Sequence, residues 1–283
     1  MTSVLITGAT GSFGQSMARR LLKDDGVDRI AIYSRGEMAQ ADMARELLSD
    51  DVHKKLRFFI GDVRDRDRLT RAMRGVDLVY HAAALKRIEV GRYNPEEMIK
   101  TNVIGAMNVI EASYDAGVQK VVALSTDKAW QPISPYGQSK ALAESLFLNA
   151  YEPGAGPAMA VCRYGNIAGS NGSVIPYWQS LISQGCTSVP VTNLEATRFY
   201  MSIDEAVDLV SKTASTMTGG ELVIPISLPA YMVGDLVEAM GVRAELIGLP
   251  SWEKLHEGLC DGNTSDAARR MTVEELRKRL AEI

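Results

Sequence analysis

The first half of the chain alternates short apolar runs with longer amphipathic stretches. Residues 4–6, 29–33, 56–60, 78–81, 120–124 and 159–163 are apolar runs bounded by glycine or polar residues, which predicts buried strands. Between them, residues 13–23, 37–49, 66–74, 95–116 and 135–150 repeat their apolar positions at helical spacing. Strands alternating with helices predict an α/β fold, a Rossmann-type doubly wound parallel sheet with helices on both faces. Right-handed crossovers then place a ligand site beyond the carboxyl ends of the strands.

Past residue 163 the alternation loosens. Residues 165–172 are rich in Gly, Asn and Ser and predict a loop, followed by a helix at 204–215, a short strand at 222–226, and helices near 233–240 and 272–280. The expected organisation is a dinucleotide-binding Rossmann domain over 1–165. A smaller C-terminal α/β lobe, mainly substrate-binding, follows over 166–283 and is partly interleaved with the sheet.

Composition narrows the classes of function. With 46% hydrophobic and 23% charged residues the chain is ordinary globular material, which excludes disorder. A formal net charge of −4 argues against a nucleic-acid partner. No apolar run approaches the ~18 residues of a membrane span. The first run, Val4-Leu5-Ile6, is broken by Thr7-Gly8, unlike a secretory leader. Cys162, Cys186 and Cys260 and the histidines His53, His81 and His256 are scattered, with no disulfide framework and no metal-ligand spacing. These features predict a cytoplasmic protein with no metal and no membrane association.

Chemistry begins at Thr7-Gly8-Ala9-Thr10-Gly11-Ser12-Phe13-Gly14, which follows a predicted strand and opens a predicted helix. Glycines there allow a tight turn and let backbone amides approach a pyrophosphate, to which the helix N-terminus adds partial positive charge. At the end of the second strand an NAD enzyme usually carries an acidic residue for the ribose hydroxyls. This chain has Ser34-Arg35, a hydroxyl and a guanidinium fork suited to the 2′-phosphate of NADP. Asp62 and Val63 follow the third strand; Asp62 is a candidate for the adenine amino group or, alternatively, a helix N-cap.

Ser125-Thr126-Asp127-Lys128 closes the fifth predicted strand, and Tyr136 and Lys140 stand at i and i+4 on one face of the helix that follows. A lysine ammonium near a phenol, beside an oxidised nicotinamide, favours phenolate and lowers the tyrosine pKa. The phenolate can then take a proton from a substrate hydroxyl.

These motifs, with His81-Ala82-Ala83-Ala84 and Thr101-Asn102-Val103, resemble the extended short-chain dehydrogenase/reductase superfamily. Five stretches are similar to the UDP-N-acetylglucosamine 4,6-dehydratases, including the inverting kind: AAALK at 82–86, NPEEMIKTNVIG at 94–105, LSTDKA at 124–129 with Tyr136 and Lys140, RYGNIAGSNGSVIP at 163–176 continuing to Thr197-Arg198-Phe199, and EKLHE at 253–257.

The resemblance implies a reaction. Tyr136 with Lys140 would oxidise C4 of the sugar, the C4 ketone would acidify C5, and Lys128 would remove the C5 proton. Asp127, in a triplet with Thr126, would protonate the departing C6 hydroxyl. Hydride would return to C6, so that NADP is recycled, and reprotonation from the opposite face would invert C5. It also implies Ala82, Ala83 and Asn102 at the cofactor, Lys86, Asn166, Ser173, Val174 and Arg198 at the UDP-sugar, and a homo-oligomer built through the helices at 95–116 and 135–150.

Departures from the family wording, Lys86-Arg87-Ile88-Glu89 and Leu249-Pro250-Ser251-Trp252, bear on the identity of the sugar. A nucleotide-sugar 4-epimerase or reductase remains an alternative, and a non-enzymatic NADP-sensing regulator a more distant one. The acid–base roles require neutral Asp127 and neutral Lys128, a proton shift that costs about 9 kcal/mol in water. Desolvation offsets that cost, so the pair is expected to be buried.

Overall fold

The computed structural model describes all 283 residues. The first half runs β1 (Thr2–Thr7), α1 (Ser12–Leu22), β2 (Val27–Ser34), α2 (Glu37–Leu47), β3 (Leu56–Ile60), α3 (Arg66–Met73), β4 (Leu78–His81), α4 (Ile88–Tyr93) and α5 (Pro95–Met98). A π-helical segment (Ile99–Ile104), α6 (Gly105–Ala116), β5 (Lys120–Leu124), a 3-10 turn (Asp127–Ala129), α7 (Pro135–Asn149) and β6 (Ala158–Cys162) complete it. The remainder is α8 (Val174–Ser183), β7 (Ser188–Val191), β8 (Thr197–Phe199), α9 (Ile203–Thr216), β9 (Glu221–Val223), β10 (Ala230–Met232), α10 (Val233–Ala239), β11 (Arg243–Leu246), β12 (Gly258–Cys260), β13 (Asn263–Thr264) and α11 (Val273–Leu280).

Seven strands form one sheet in the order β3-β2-β1-β4-β5-β6-β9, every pair parallel. Strand order reverses between β1 and β4, the switch point at which doubly wound sheets bind ligands. Alternate residues of each strand serve opposite faces. Val4 and Ile6 join the core under α1, α2 and α9, with Met17, Met43 and Val207. Leu5, Ala31 and Val79 join the core under α3, α6 and α7, with Leu69, Val109 and Phe147. A third core, around Trp178, Val189, Tyr231 and Leu276, belongs to the C-terminal lobe.

Chain order and space part company in the second half. β9 pairs with β6 and α9 covers the sheet, so residues from beyond position 200 belong physically to the first core. β9 stops at Val223, short of the expected 226, because Pro225 has no N–H for a ladder. The helix expected over 95–116 is interrupted by the π segment, which carries Asn102. The short helix α4 and the small elements α8, β7, β8 and β10 to β13 were not anticipated from the pattern. No helix is long and apolar enough to cross a membrane.

Candidate active site

The carboxyl ends of β1, β2, β4, β5 and β6 open into one cavity of about 930 Å³, which also extends under the C-terminal lobe. Its floor is the glycine loop. Gly8 has φ +65°, and a Cβ there would lie 2.7 Å from the backbone nitrogen of Ala83. At Gly14 a Cβ would lie 2.5 Å from Cα of Ala9, so α1 can sit this close to β1 only with glycine. Gly11 caps α1 without a side-chain bond, and the first turn carries no acidic residue. The α1 amides and partial positive charge are therefore available to an anion. Thr10, Ser12 and Phe13 line the same floor.

Thr7 Oγ1 bonds Nδ1 of His81 at 2.8 Å and accepts from the Ala83 amide at 3.2 Å, which fastens the segment after β4 beside the glycine loop. Burial pushes His81 down to about 3, so this ring is a neutral fastener. Ala82 and Ala83 form the adjoining wall.

At the end of β2, Ser34 is buried, and its Oγ accepts from Gln40 at 3.0 Å. Arg35 is half exposed, held only by a 3.9 Å approach to Asp62. Both line the cavity, and the loosely held guanidinium suits a phosphate. Burial works to raise the Asp62 carboxyl, but side-chain and backbone hydrogen bonds from Arg64 hold it below the usual range. Asp62 is not a helix cap: α3 is capped by Asp65, which accepts from the Arg68 amide. Val63, buried, completes this wall.

Asp127 N–H donates to the carbonyl of Tyr164 at 2.9 Å, which holds the turn after β5 against the end of β6. Asp127 is completely buried and Lys128 largely so, as their proposed roles require. Lys128 Nζ lies 3.0 Å from Asp127 Oδ1, 3.0 Å from Asn166 Oδ1 and 3.2 Å from Glu257 Oε1. Burial disfavours its charge, yet Asp127 and Glu257 outweigh burial and raise this amine above the usual lysine range, so burial alone does not give the neutral lysine expected from the sequence. Thr126 Oγ1 donates to Asp127 Oδ1 at 2.9 Å, whereas Asp127 Oδ2 is buried without a partner. Thr126 and Lys128 line the cavity; Asp127 sits one layer below.

Tyr136 and Lys140 follow Pro135 and the capping Ser134 on the first turns of α7, and both line the cavity. The expected fall in the tyrosine pKa is not a property of these protein groups alone. Burial pushes the phenol up to about 12, against the pull of Lys128 and Thr126. Lys140 donates to the Leu124 carbonyl at 2.7 Å, and burial pushes its amine down to about 8.

One other residue sits differently from the expectation. Asn102 does not line the cavity: it donates to the Leu85 carbonyl and to Ser139 Oγ, each at 2.9 Å, and accepts from the Leu85 amide at 2.8 Å. It thereby ties the segment carrying Ala82 and Ala83 to α7. Asn166 lines the cavity with its amide oxygen committed to Lys128.

Lys86 is exposed at the cavity rim. Ser173 caps α8 in position but makes no capping bond, and its Oγ is buried without a partner beside Val174. Arg198 is buried and lines the cavity, held by Glu253 and by the carbonyls of Thr197 (2.7 Å) and Leu255 (3.0 Å). The residue that reasoning from local motifs missed is Glu257. It is 2% exposed, lines the cavity and meets Lys128 from the far end of the chain, so no local spacing could have paired them.

A dinucleotide loop at the switch point, with Tyr136, Lys140 and the Asp127–Lys128 pair over it, is the layout of an extended short-chain dehydrogenase/reductase, the class to which this chain belongs. Residues 4–276 match the family described as "Polysaccharide biosynthesis protein", and the chain is a member of it. The chain is 42% identical to the UDP-N-acetylglucosamine 4,6-dehydratase (inverting) of Campylobacter jejuni, over 93% of this chain and 78% of that protein. It is 41% identical to the UDP-glucose 4-epimerase of Rickettsia akari, over 91% of this chain and 77% of that protein. The crystal structure of Pen from Bacillus thuringiensis superposes with a TM-score of 0.91 at 32% identity, covering 100% of this chain and 98% of that one.

Proposed function

We propose that this protein is a nucleotide-sugar 4,6-dehydratase that converts UDP-N-acetylglucosamine to a UDP-4-keto-6-deoxy-hexosamine with inversion at C5, using a recycled NADP. The observation that carries the reading is the buried Asp127–Lys128 pair in the same site as Tyr136 and Lys140. A 4-epimerase needs the tyrosine and the cofactor but has no use for a second acid and base beside them. Similarity to the Campylobacter dehydratase supports the same reading.

The protein groups divide the work. Gly8, Gly11, Gly14 and the start of α1 would hold the pyrophosphate, and Ser34 and Arg35 the 2′-phosphate. Asp62, Val63, Ala82 and Ala83 would line the adenosine and nicotinamide walls, and Asn102 would hold those walls in place. When bound, a nicotinamide supplies a hydride acceptor and donor within one turnover. Tyr136 takes the proton of the C4 hydroxyl, helped by Lys140. Lys128 takes the C5 proton, and Asp127, with Thr126 and Lys128 both on its Oδ1, supplies the proton for the departing C6 oxygen.

Toward the UDP end, the uncapped start of α8 with Ser173 and Val174 offers backbone amides to a diphosphate. Arg198 and Lys86 add positive charge, and Asn166 keeps Lys128 in register. Three unpaired cysteines suit a reducing cytoplasm. Exposed Ile99, Ile104, Met107 and Leu142 on the π segment, α6 and α7 suit a homo-oligomer.

Incubation with UDP-N-acetylglucosamine and no added reductant should give a product lighter by one water, with C5 configuration readable by NMR. A C4 epimer without water loss would establish the epimerase reading instead, and net consumption of reduced cofactor would mark a reductase. The Lys128→Met variant in D2O should still form reduced cofactor but incorporate no deuterium at C5; unchanged incorporation removes Lys128 from its role.

A further inference from the structure

Glu257 is a buried carboxylate for which the reaction as laid out has no use. It belongs to a short strap, residues 253–257, of which Glu253, Lys254 and Glu257 line the cavity. Glu253 holds Arg198, Lys254 donates to the carbonyl of Trp130, and the Leu255 carbonyl accepts from the Thr197 amide. His256 bonds Thr197 Oγ1, and Glu257 reaches Lys128. Glu257 is itself fixed: its amide donates to Ser265 Oγ at 2.9 Å, and its carbonyl accepts from the Ser265 amide at 2.8 Å. One carboxylate oxygen faces Lys128 Nζ; the other is buried with no hydrogen bond, only a 3.8 Å approach from Lys254.

An ammonium has three N–H donors. Around Lys128 there are three acceptors, each from a different segment: Asp127 from the turn after β5, Asn166 from the loop after β6, and Glu257 from the strap. We propose that Glu257 is a positioning residue of this enzyme: with Asn166 it seats the Lys128 amine at the sugar, and it serves as a second counter-charge that does not depend on Asp127.

The proposal rests on the dehydratase reading and deepens it. A C5 base that becomes an ammonium needs a negative partner at that moment. Asp127 cannot be the whole of that partner if it carries the proton meant for the C6 oxygen. Glu257 has no such second duty, and it reaches the amine from a different segment of the chain.

The charged and titratable groups facing Lys128 are Asp127, Glu257, Arg198, Lys254, Tyr136 and Tyr231. Arg198 opposes the positive charge, while Asp127 and Glu257 favour it and prevail. Removing the Glu257 charge while keeping its shape therefore lowers the proton affinity of Lys128.

The test compares wild type with Glu257→Gln, Glu257→Ala and Glu257→Asp. Lys128 is titrated directly, by the pH dependence of its carbamoylation by cyanate, read by peptide mass spectrometry. The midpoint should fall by about one pH unit or more in Glu257→Gln and return toward wild type in Glu257→Asp, which keeps the charge. An unmoved midpoint in Glu257→Gln overturns the proposal.

In D2O with UDP-N-acetylglucosamine, Glu257→Ala should lose less of its cofactor reduction than of its C5 exchange, since Glu257 acts on Tyr136 as well as on Lys128. Its deuterium incorporation at C5 should fall at least tenfold, on the order of the loss from deleting a preorganised polar group. Equal loss of both signals would mean a merely structural residue and would also overturn the proposal. If the titration moves while wild type incorporates no deuterium, the seating of Lys128 by Glu257 stands and the dehydratase reading falls.

Discussion

Lys140 reaches the Leu124 carbonyl from inside the fold, where burial brings its amine down to about 8 from the ordinary lysine value of 10.5. Below about pH 8 the folded protein bears the full penalty of that buried charge. Between about 8 and 10.5 the unfolded chain binds the extra proton, so this contribution to stability improves as pH rises. Without added cofactor, Lys140→Met should melt above wild type at pH 7, and the gap should close over that window. A gap that ignores pH would contradict the assignment. Arg35 provides a second test at this scale. If its loosely held guanidinium meets a 2′-phosphate, Arg35→Ala should weaken NADP binding about tenfold or more and leave NAD nearly unchanged, as measured by titration calorimetry.

Elements were legible where their signal was short-range. The glycine spacing at 8, 11 and 14 and the Tyr136–Lys140 spacing each lie within one turn or one helix face, so local geometry is enough to read them. The six strands of the first half carry a run of apolar residues long enough to recognise. The strands β7, β8 and β10 to β13 have two to four residues each, too few to show a period. The π segment was hidden for another reason: its residue Asn102 bonds Leu85 and Ser139, which are distant in sequence. The glycine loop supports an element-scale prediction. A Cβ at position 14 meets backbone, which cannot swing aside as a flexible side chain can. Gly14→Ala should cost about 1–3 kcal/mol in denaturant unfolding and abolish measurable NADP binding. Retained affinity would show that α1 can shift without loss of the phosphate site.

At the scale of the molecule, the sheet domain and the C-terminal lobe share one cavity and exchange elements, since β9 and α9 return to the first core. A ligand at either end should therefore stabilise a single cooperative unit. NADP alone, or UDP alone, at about a hundred times its Kd should each add about 2.7 kcal/mol and shift one calorimetric transition. Two transitions, only one of which responds to each ligand, would show that the lobes unfold apart.

The amino-acid sequence by itself determined the alternating layers, the dinucleotide loop and the residues offered for catalysis, because strand, turn and helix-face geometry are set within a few residues. Only the tertiary structure decided what those residues can do. It buried Asp127 beneath Lys128, set Asn102 as a fastener outside the cavity, gave the cavity-lining Asn166 a bond to Lys128, and raised the Tyr136 phenol by burial. It also brought Glu257 to the amine of Lys128, because a charge in a water-poor site takes its partners from whatever the fold packs against it.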